Sequence, residues 1–171
     1  TTQAVVVGGG LIGIELAEML HSRGIQVTLV VREKHYWNNV LPDEEAQLID
    51  AHIRAHGIDL RLSTELKSIE GDQSGRVRQV ILHDGSSIDC QWVGLAVGVQ
   101  PNLSLANELP IACDKGILVD DYLTTSIPDI YAIGDCVQLR HPTAGRKAIE
   151  PVWYTGKLMG KTVARTIAGE P

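Results

Sequence analysis

The sequence predicts an α/β fold, three-layered, with a central parallel sheet and a small antiparallel β-meander. Three observations carry this expectation. The apolar run Ala4-Val5-Val6-Val7 stops at Gly8-Gly9-Gly10, as a buried parallel strand stops at a tight turn. Leu11–Arg23 then places Ile12, Leu16, Ala17, Met19 and Leu20 at helical spacing. Ile25–Val31 is a second apolar run, so strand, helix and strand fit within about thirty residues, the length of a βαβ crossover. The 171 residues include no Phe, so the core rests on Val, Ile, Leu and Ala, which suit strands buried on both faces.

The remaining elements follow in order. Gly24 closes the first helix as a C-cap. Arg32–Val40 is polar and aromatic and predicts a loop over the sheet. Pro42-Asp43-Glu44-Glu45 opens a second helix with acids at the positive end of its dipole. That helix is expected to run to about His56, with Gly57 as its stop and Ile58–Leu62 as a third strand. Glu65–Glu70 and Val77–His83 flank Gly71–Gly75, and Asp84-Gly85 precedes Ser87–Cys90, which together predict the meander. Trp92–Gly98 reads as a buried strand. Around Pro101 the character changes: Asn102–Pro110 is loop or short helix, Ile117–Val119 and Ile130–Ile133 are short strands, and Lys147–Ala168 is a last helix with Pro151 near its beginning. The expected boundary lies near residue 100, giving domains 1–100 and 101–171. No internal repeat is evident.

Composition excludes several functions. Net charge is −6 and no basic run occurs, which argues against a nucleic-acid partner. No apolar stretch reaches the roughly 18 residues of a membrane span, and no secretory signal opens the sequence. Cys90, Cys113 and Cys136 form no CxxC pair or metal cluster, so three reduced thiols in a cytoplasmic protein are expected. His52 and His56 stand at i and i+4 without a third ligand, which reads as a solvated helix edge rather than a metal site. No nucleophile, base and orienter suggest hydrolysis, so no catalytic residue is assigned.

The chemistry sits in Gly8-Gly9-Gly10-Leu11-Ile12-Gly13, a G-x-G-x-x-G that follows a strand and opens a helix. Gly8 permits the turn, Gly10 lets backbone approach a pyrophosphate, and Gly13 lets helix pack on strand. The helix start through Leu11 and Ile12 offers unpaired N–H groups and a positive dipole end. This is a Rossmann-like, dinucleotide-binding signature; the plainer reading is a glycine-rich turn without ligand. NAD sites place an acid at the end of the second strand; here that position is Val31, followed by Arg32. Arg32 pairing with a 2′-phosphate, with Lys34 adding charge, slightly favours NADPH. Glu33 keeps NADH open, as does the reading of these residues as solvated loop charges.

Ala4–Leu20, Ala96-Val97-Gly98-Val99-Gln100-Pro101-Asn102 and Thr125-Ser126-Ile127-Pro128-Asp129-Ile130-Tyr131-Ala132-Ile133-Gly134-Asp135 stand in one order along the chain. Together they resemble the FAD-dependent pyridine nucleotide-disulfide oxidoreductase superfamily, in its nitrite-, rubredoxin- and ferredoxin-reductase-like branch. The resemblance implies a Rossmann-like FAD/NAD(P)-binding three-layer fold. It implies that Gly8, Gly10 and Gly13 hold the NAD(P)H pyrophosphate and that Glu15 lies near the nicotinamide end. Gly98 and Pro101 would shape the crossing to a flavin domain. Asp135, after Gly134, would bind the flavin ribityl hydroxyls, or else serve as a turn residue. Val152 and Trp153 would lie at a helix start near the flavin pyrimidine, although Trp153 equally suits a core or interface.

The family's first flavin-binding βαβ unit, redox cysteine pair and C-terminal dimerisation domain have no counterpart here. The expectation is therefore a fragment: an NAD(P)-binding domain (1–100) and the C-terminal half of a split FAD domain (101–171). It would bind NAD(P)H, lack turnover alone, and belong to a parent that passes hydride from NAD(P)H to FAD and on to an acceptor the sequence does not identify. Strands after Asn102 would have exposed edges, or edges paired with the missing flavin-domain half or with another copy, as in a homodimer. The alternative is a non-catalytic NAD(P)(H)-binding or sensing module.

Overall fold

Strand β1 (Gln3–Val7) is the centre around which the first part of the chain is built. The computed structural model describes residues 1–170 and divides them into two units, Thr1–Gly98 and the residues from Val99 onward. In the first unit the order is β1, α1 (Leu11–His21), β2 (Gln26–Val30), α2 (Asp43–Ala55), β3 (Asp59–Arg61), β4 (Leu66–Gly71), β5 (Val77–Leu82), β6 (Ser87–Asp89) and β7 (Trp92–Leu95). A parallel sheet runs β3-β2-β1-β7. The β-branched run of β1 lets it be buried on both faces: Val5 and Val6 are fully enclosed.

Alternation along the strands separates two cores. Val6, Val27 and Leu29 face α1 and α2 and pack with Ala17 and Ile53. Val5, Val7 and Val30 face the other way and pack with Val80, Leu82 and Cys90. The antiparallel meander β4-β5-β6 therefore forms the third layer, where a doubly wound fold otherwise carries helices. Each fully buried aliphatic side chain contributes roughly 1.5–3 kcal/mol. The three-layer α/β expectation holds.

Several boundaries differ from the sequence reading. α1 ends at His21, two residues early, because Arg23 and Gly24 donate to the carbonyls of Leu20 and His21 and tighten the last turn. β7 ends at Leu95 because its partner β1 ends at Val7. Gly98, at φ +115°, turns the chain away.

The second unit contains α3 (Ser104–Asn107), β8 (Ile117–Val119), β9 (Val137–Leu139) and α4 (Trp153–Ala168). β8 and β9 pair in parallel, and Met159 and Val163 of α4 pack on Val119, Leu123 and Val137. Ile130–Ile133 is not a strand. Only Tyr131 makes a bridge, to Thr124, because Asp129 (φ +62°) and Gly134 (φ +86°) bend the chain on either side. The expected helix from Lys147 starts only at Trp153. Pro151 disfavours helical backbone at Glu150, and Val152 is extended (φ −131°, ψ 132°). The expected open strand edges are partly covered: Leu118 N–H donates to Ala112 and Leu139 N–H to Ala148. No helix among the described residues is long and apolar enough to cross a membrane.

Candidate functional site

The strand order puts β1 between β2, which follows it, and β7, which closes the unit. Connections from β1 and its neighbour thus diverge, and a crevice opens at the carboxyl ends of the strands, the usual ligand position in such sheets. A cleft of about 720 Å³ lies there. Gly8, Gly9, Gly10 and Leu11 form one wall; Arg32 and Glu33 stand at the end of β2; Trp37, Asn39 and Val40 come from the next loop. Thr64, Glu65 and Leu66 follow β3, and Leu95–Gly98 closes the far side.

The three motif glycines have different reasons to be glycine. A Cβ on Gly8, whose φ is +122°, would lie 2.2 Å from the Ala96 carbonyl oxygen. On Gly13 it would lie 2.0 Å from the Gly8 carbonyl oxygen. Both make the turn and the helix–strand approach feasible. Gly10 has an ordinary φ of −87°, and a Cβ there would meet nothing within 4 Å. Neither conformation nor packing calls for glycine at Gly10, where a side chain would face open space. Gly10 is also the N-cap of α1. It supplies no side-chain cap, and the first turn carries no acid, so the helix presents uncompensated N–H groups and a positive dipole end.

At the end of β2, Val31 is buried and packs against Gly9. Arg32 Nε donates to Glu33 Oε1 at 2.8 Å, a contact that raises the guanidinium above its ordinary value. Lys34 Nζ instead pairs with Asp43 at 3.0 Å, holding that carboxyl below its ordinary range, and Lys34 is not part of the cleft lining. A second groove of about 580 Å³ shares Arg32, Thr64 and Glu65 with the cleft and adds Arg54, Arg61 and His83.

The loop after β2 is tied down from below. Asp50 on α2, only 3% exposed, accepts the Tyr36 N–H at 2.8 Å and faces His35 Nδ1 at 2.7 Å. Tyr36 stacks on Trp37 with ring centroids 5.6 Å apart. Trp37 has a left-handed backbone (φ +59°), which for a bulky residue is strained. Burial, then the charges of Glu18 and Glu15, push the Tyr36 hydroxyl up to about 12.

Of the sequence-derived residues, Gly8, Gly10, Leu11, Arg32 and Gly98 meet around the cleft. Ile12 is exposed on α1, Gly13 serves packing, and Glu15 lies on α1 outside the lining. Pro101, Gly134, Asp135, Val152 and Trp153 belong to the second unit. There the Asp135 carboxylate is exposed and has no hydrogen-bond partner among the described residues. Gly134 N–H points at Met159 Sδ, 3.4 Å away, and Lys157 Nζ sits 5.0 Å over the exposed Trp153 ring. His56 Nδ1 lies 2.9 Å from the His52 carbonyl oxygen of its own helix. Sequence reasoning missed Trp37, Asn39, Val40 and Thr64–Leu66. Their one signal was position: each lies in the loop leaving the carboxyl end of β2 or β3, or, for Leu66, at the first residue of the strand that follows.

Residues 1–158 match the family described as pyridine nucleotide-disulphide oxidoreductase. The chain is 33% identical over 169 residues to a rubredoxin-NAD(+) reductase of Ectopseudomonas oleovorans, covering 99% of this chain and 44% of that protein. It is 38% identical over 159 residues to a nitric oxide reductase FlRd-NAD(+) reductase of Vibrio vulnificus, covering 92% of this chain and 40% of that protein. Among solved structures, a ferredoxin reductase from Rhodopseudomonas palustris superposes with a TM-score of 0.88 at 28% identity, over 98% of this chain and 41% of that one. An NAD-dependent persulfide reductase from A. fulgidus gives 0.89 at 31%, over 98% and 31%. The chain thus spans about two fifths of the length of these two curated relatives. With its glycine turn, parallel sheet and meander in place and the family match running through residue 158, the chain belongs to the pyridine nucleotide-disulphide oxidoreductase family.

Proposed function

We propose that the chain is the NAD(P)H-binding portion of an FAD-dependent oxidoreductase, in which the donor nicotinamide nucleotide occupies the glycine-lined cleft and its hydride passes to flavin and on to a further acceptor. The observation that carries this reading is Gly10: an unstrained N-cap with open space where a side chain would stand. A pyrophosphate fits that space and supplies the acceptors the α1 N–H groups lack. Gly8 and Gly13 shape the turn, while Leu11 N–H and the helix dipole orient the phosphates. The first unit is then the NAD(P) domain, and the second is the C-terminal part of a flavin domain.

NADPH is favoured over NADH in this reading. Val31 occupies the position of the expected acid and is buried, and the next acid, Glu33, has its Oε1 turned to Arg32, so the guanidinium lies beside the one carboxylate that could meet a ribose 2′-hydroxyl. Arg32 is exposed on the cleft rim with its terminal amino groups available to a 2′-phosphate. In the second unit, the unpartnered Asp135 carboxylate fits the hydroxyls of a flavin ribityl chain, and the start of α4 at Val152 and Trp153, with no side-chain cap and no acid in its first turn, offers a positive dipole end to the ring. Flavin, when bound, supplies the hydride-accepting chemistry. Calorimetric titration with NADH, NADPH and ADP tests the donor site. Binding of all three, tightest for NADPH, is expected; no heat with any of them refutes the reading.

A further inference from the structure

We propose that Tyr36 is a positioning residue for the phosphate end of the cleft: its hydroxyl holds the Gly10 carbonyl, and so aims the Leu11 N–H on the other side of the same peptide at the ligand. This rests on the reading that the glycine loop binds a pyrophosphate. Tyr36 Oη donates to Gly10 O at 3.3 Å. Gly10 O also accepts the Ile14 N–H at 3.2 Å. A trans peptide is planar, with its C=O and N–H pointing in opposite directions. Fixing the Gly10 carbonyl from the protein side therefore fixes the direction of Leu11 N–H toward the helix start, where the cleft opens.

Glycine needs such a hold more than any other residue, because its backbone is the least restricted. No side chain caps α1, and the volume in front of Gly10 is empty, so support comes from behind. The tyrosine itself is rigid. It is 3% exposed, lies in the helix-side core and is bonded through its own N–H to the buried Asp50. Asp50 is in turn met by His35. The chain of contacts runs from α2 through Asp50 and Tyr36 to the glycine turn. Its last link is a proton donor at neutral pH, as any tyrosine hydroxyl is well below its ordinary value near 10, and burial with Glu18 and Glu15 raises it further. Donation into a carbonyl also polarises its peptide and strengthens the N–H as a donor.

Tyr36→Phe removes the hydroxyl and leaves the ring. Isotope-labelled wild-type and Y36F chains are titrated with ADP and with adenosine, following the Leu11 amide by NMR. In Y36F, ADP affinity falls about three- to tenfold, on the order of one neutral hydrogen bond, while adenosine affinity is unchanged. Equal ADP affinity in both proteins overturns the proposal, as does an equal loss for both ligands, which would mark a general structural defect. If Y36F does not fold, the wild type decides: ADP must shift the Tyr36 ring resonances together with the Leu11 amide while adenosine leaves both in place, and a Tyr36 ring that does not respond to ADP overturns the role. Wild-type protein that binds neither ligand defeats the underlying pyrophosphate reading, and Tyr36's role with it; wild-type binding undiminished in Y36F defeats only the role.

Discussion

Gly10→Ala and Gly13→Ala are chemically identical changes three residues apart, and the structure separates their outcomes. The Gly13 Cβ would lie 2.0 Å from one backbone oxygen and 3.1 Å from its carbon. Backbone atoms in a central strand turn cannot yield as a flexible side chain does, so Gly13→Ala is expected to cost about 3 kcal/mol or more, at the upper end of overpacking. For a chain of this size that is roughly 6–12 °C in Tm. The Gly10 Cβ would touch nothing within 4 Å, and its φ of −87° suits alanine. Loss of a good N-cap residue and gain from a less flexible unfolded chain nearly cancel, leaving stability within about 1 kcal/mol of wild type. Binding behaves in the opposite sense. The new methyl stands in the space proposed for the pyrophosphate, and a tenfold to hundredfold loss of NADPH affinity is expected, about 1.4–2.8 kcal/mol. Thermal unfolding and calorimetric titration of both variants measure the two quantities. Gly10→Ala binding NADPH like wild type, or losing as much Tm as Gly13→Ala, refutes the reasoning.

Three further outcomes are expected. Arg32→Ala lowers NADPH affinity roughly tenfold, the order of a charge-assisted hydrogen bond, and changes NADH affinity little; paired titrations check this, and equal effects on both would remove Arg32 from the 2′-phosphate site. Asp50→Ala leaves the Tyr36 N–H and His35 Nδ1 without their buried partner and destabilises by about 3 kcal/mol, measured by urea unfolding, where an unchanged midpoint would count against the network. Alkaline stability carries a Tyr36 component: its folded pKa is raised to about 12, so the stabilisation is complete below the ordinary value near 10 and declines as pH rises from there through 12. Y36F should lack that component of the decline; identical alkaline unfolding of the two proteins would contradict it.

The layers of the first unit were legible because they follow from local pattern. The Val5-Val6-Val7 run, the helical spacing after Gly10 and the turns at Gly71–Gly75 and Asp84-Gly85 each determine an element within a few residues. The second unit was less legible. Ile130–Ile133 has strand composition, yet its conformation is decided by bends at Asp129 and Gly134 and by where β8 finds a partner. Glu150-Pro151 held enough information to move the helix start to Trp153, and the apolar spacing masked it. In the cleft, the glycine motif announced one wall. The opposite wall did not announce itself, because Trp37, Thr64 and Leu66 meet only after β2 and β3 pair. Tyr36 is similar: 26 residues separate it from Gly10, and no local rule connects them.

The pairing of β1 with β7 joins Ala4 to Trp92 and Val7 to Leu95, the most distant strand partners in the first unit. The hairpins of the meander close over a few residues, but this pairing closes a loop of nearly the whole unit, the larger entropic cost. Leu95–Gly98, one full wall of the cleft, is delivered by that closure. A ligand gripping both the glycine turn and this wall binds the closed chain and not its open forms, so by mass action it holds this long-range seam shut. A donor nucleotide bound as proposed would in this sense be a clasp on the fold as well as its cargo.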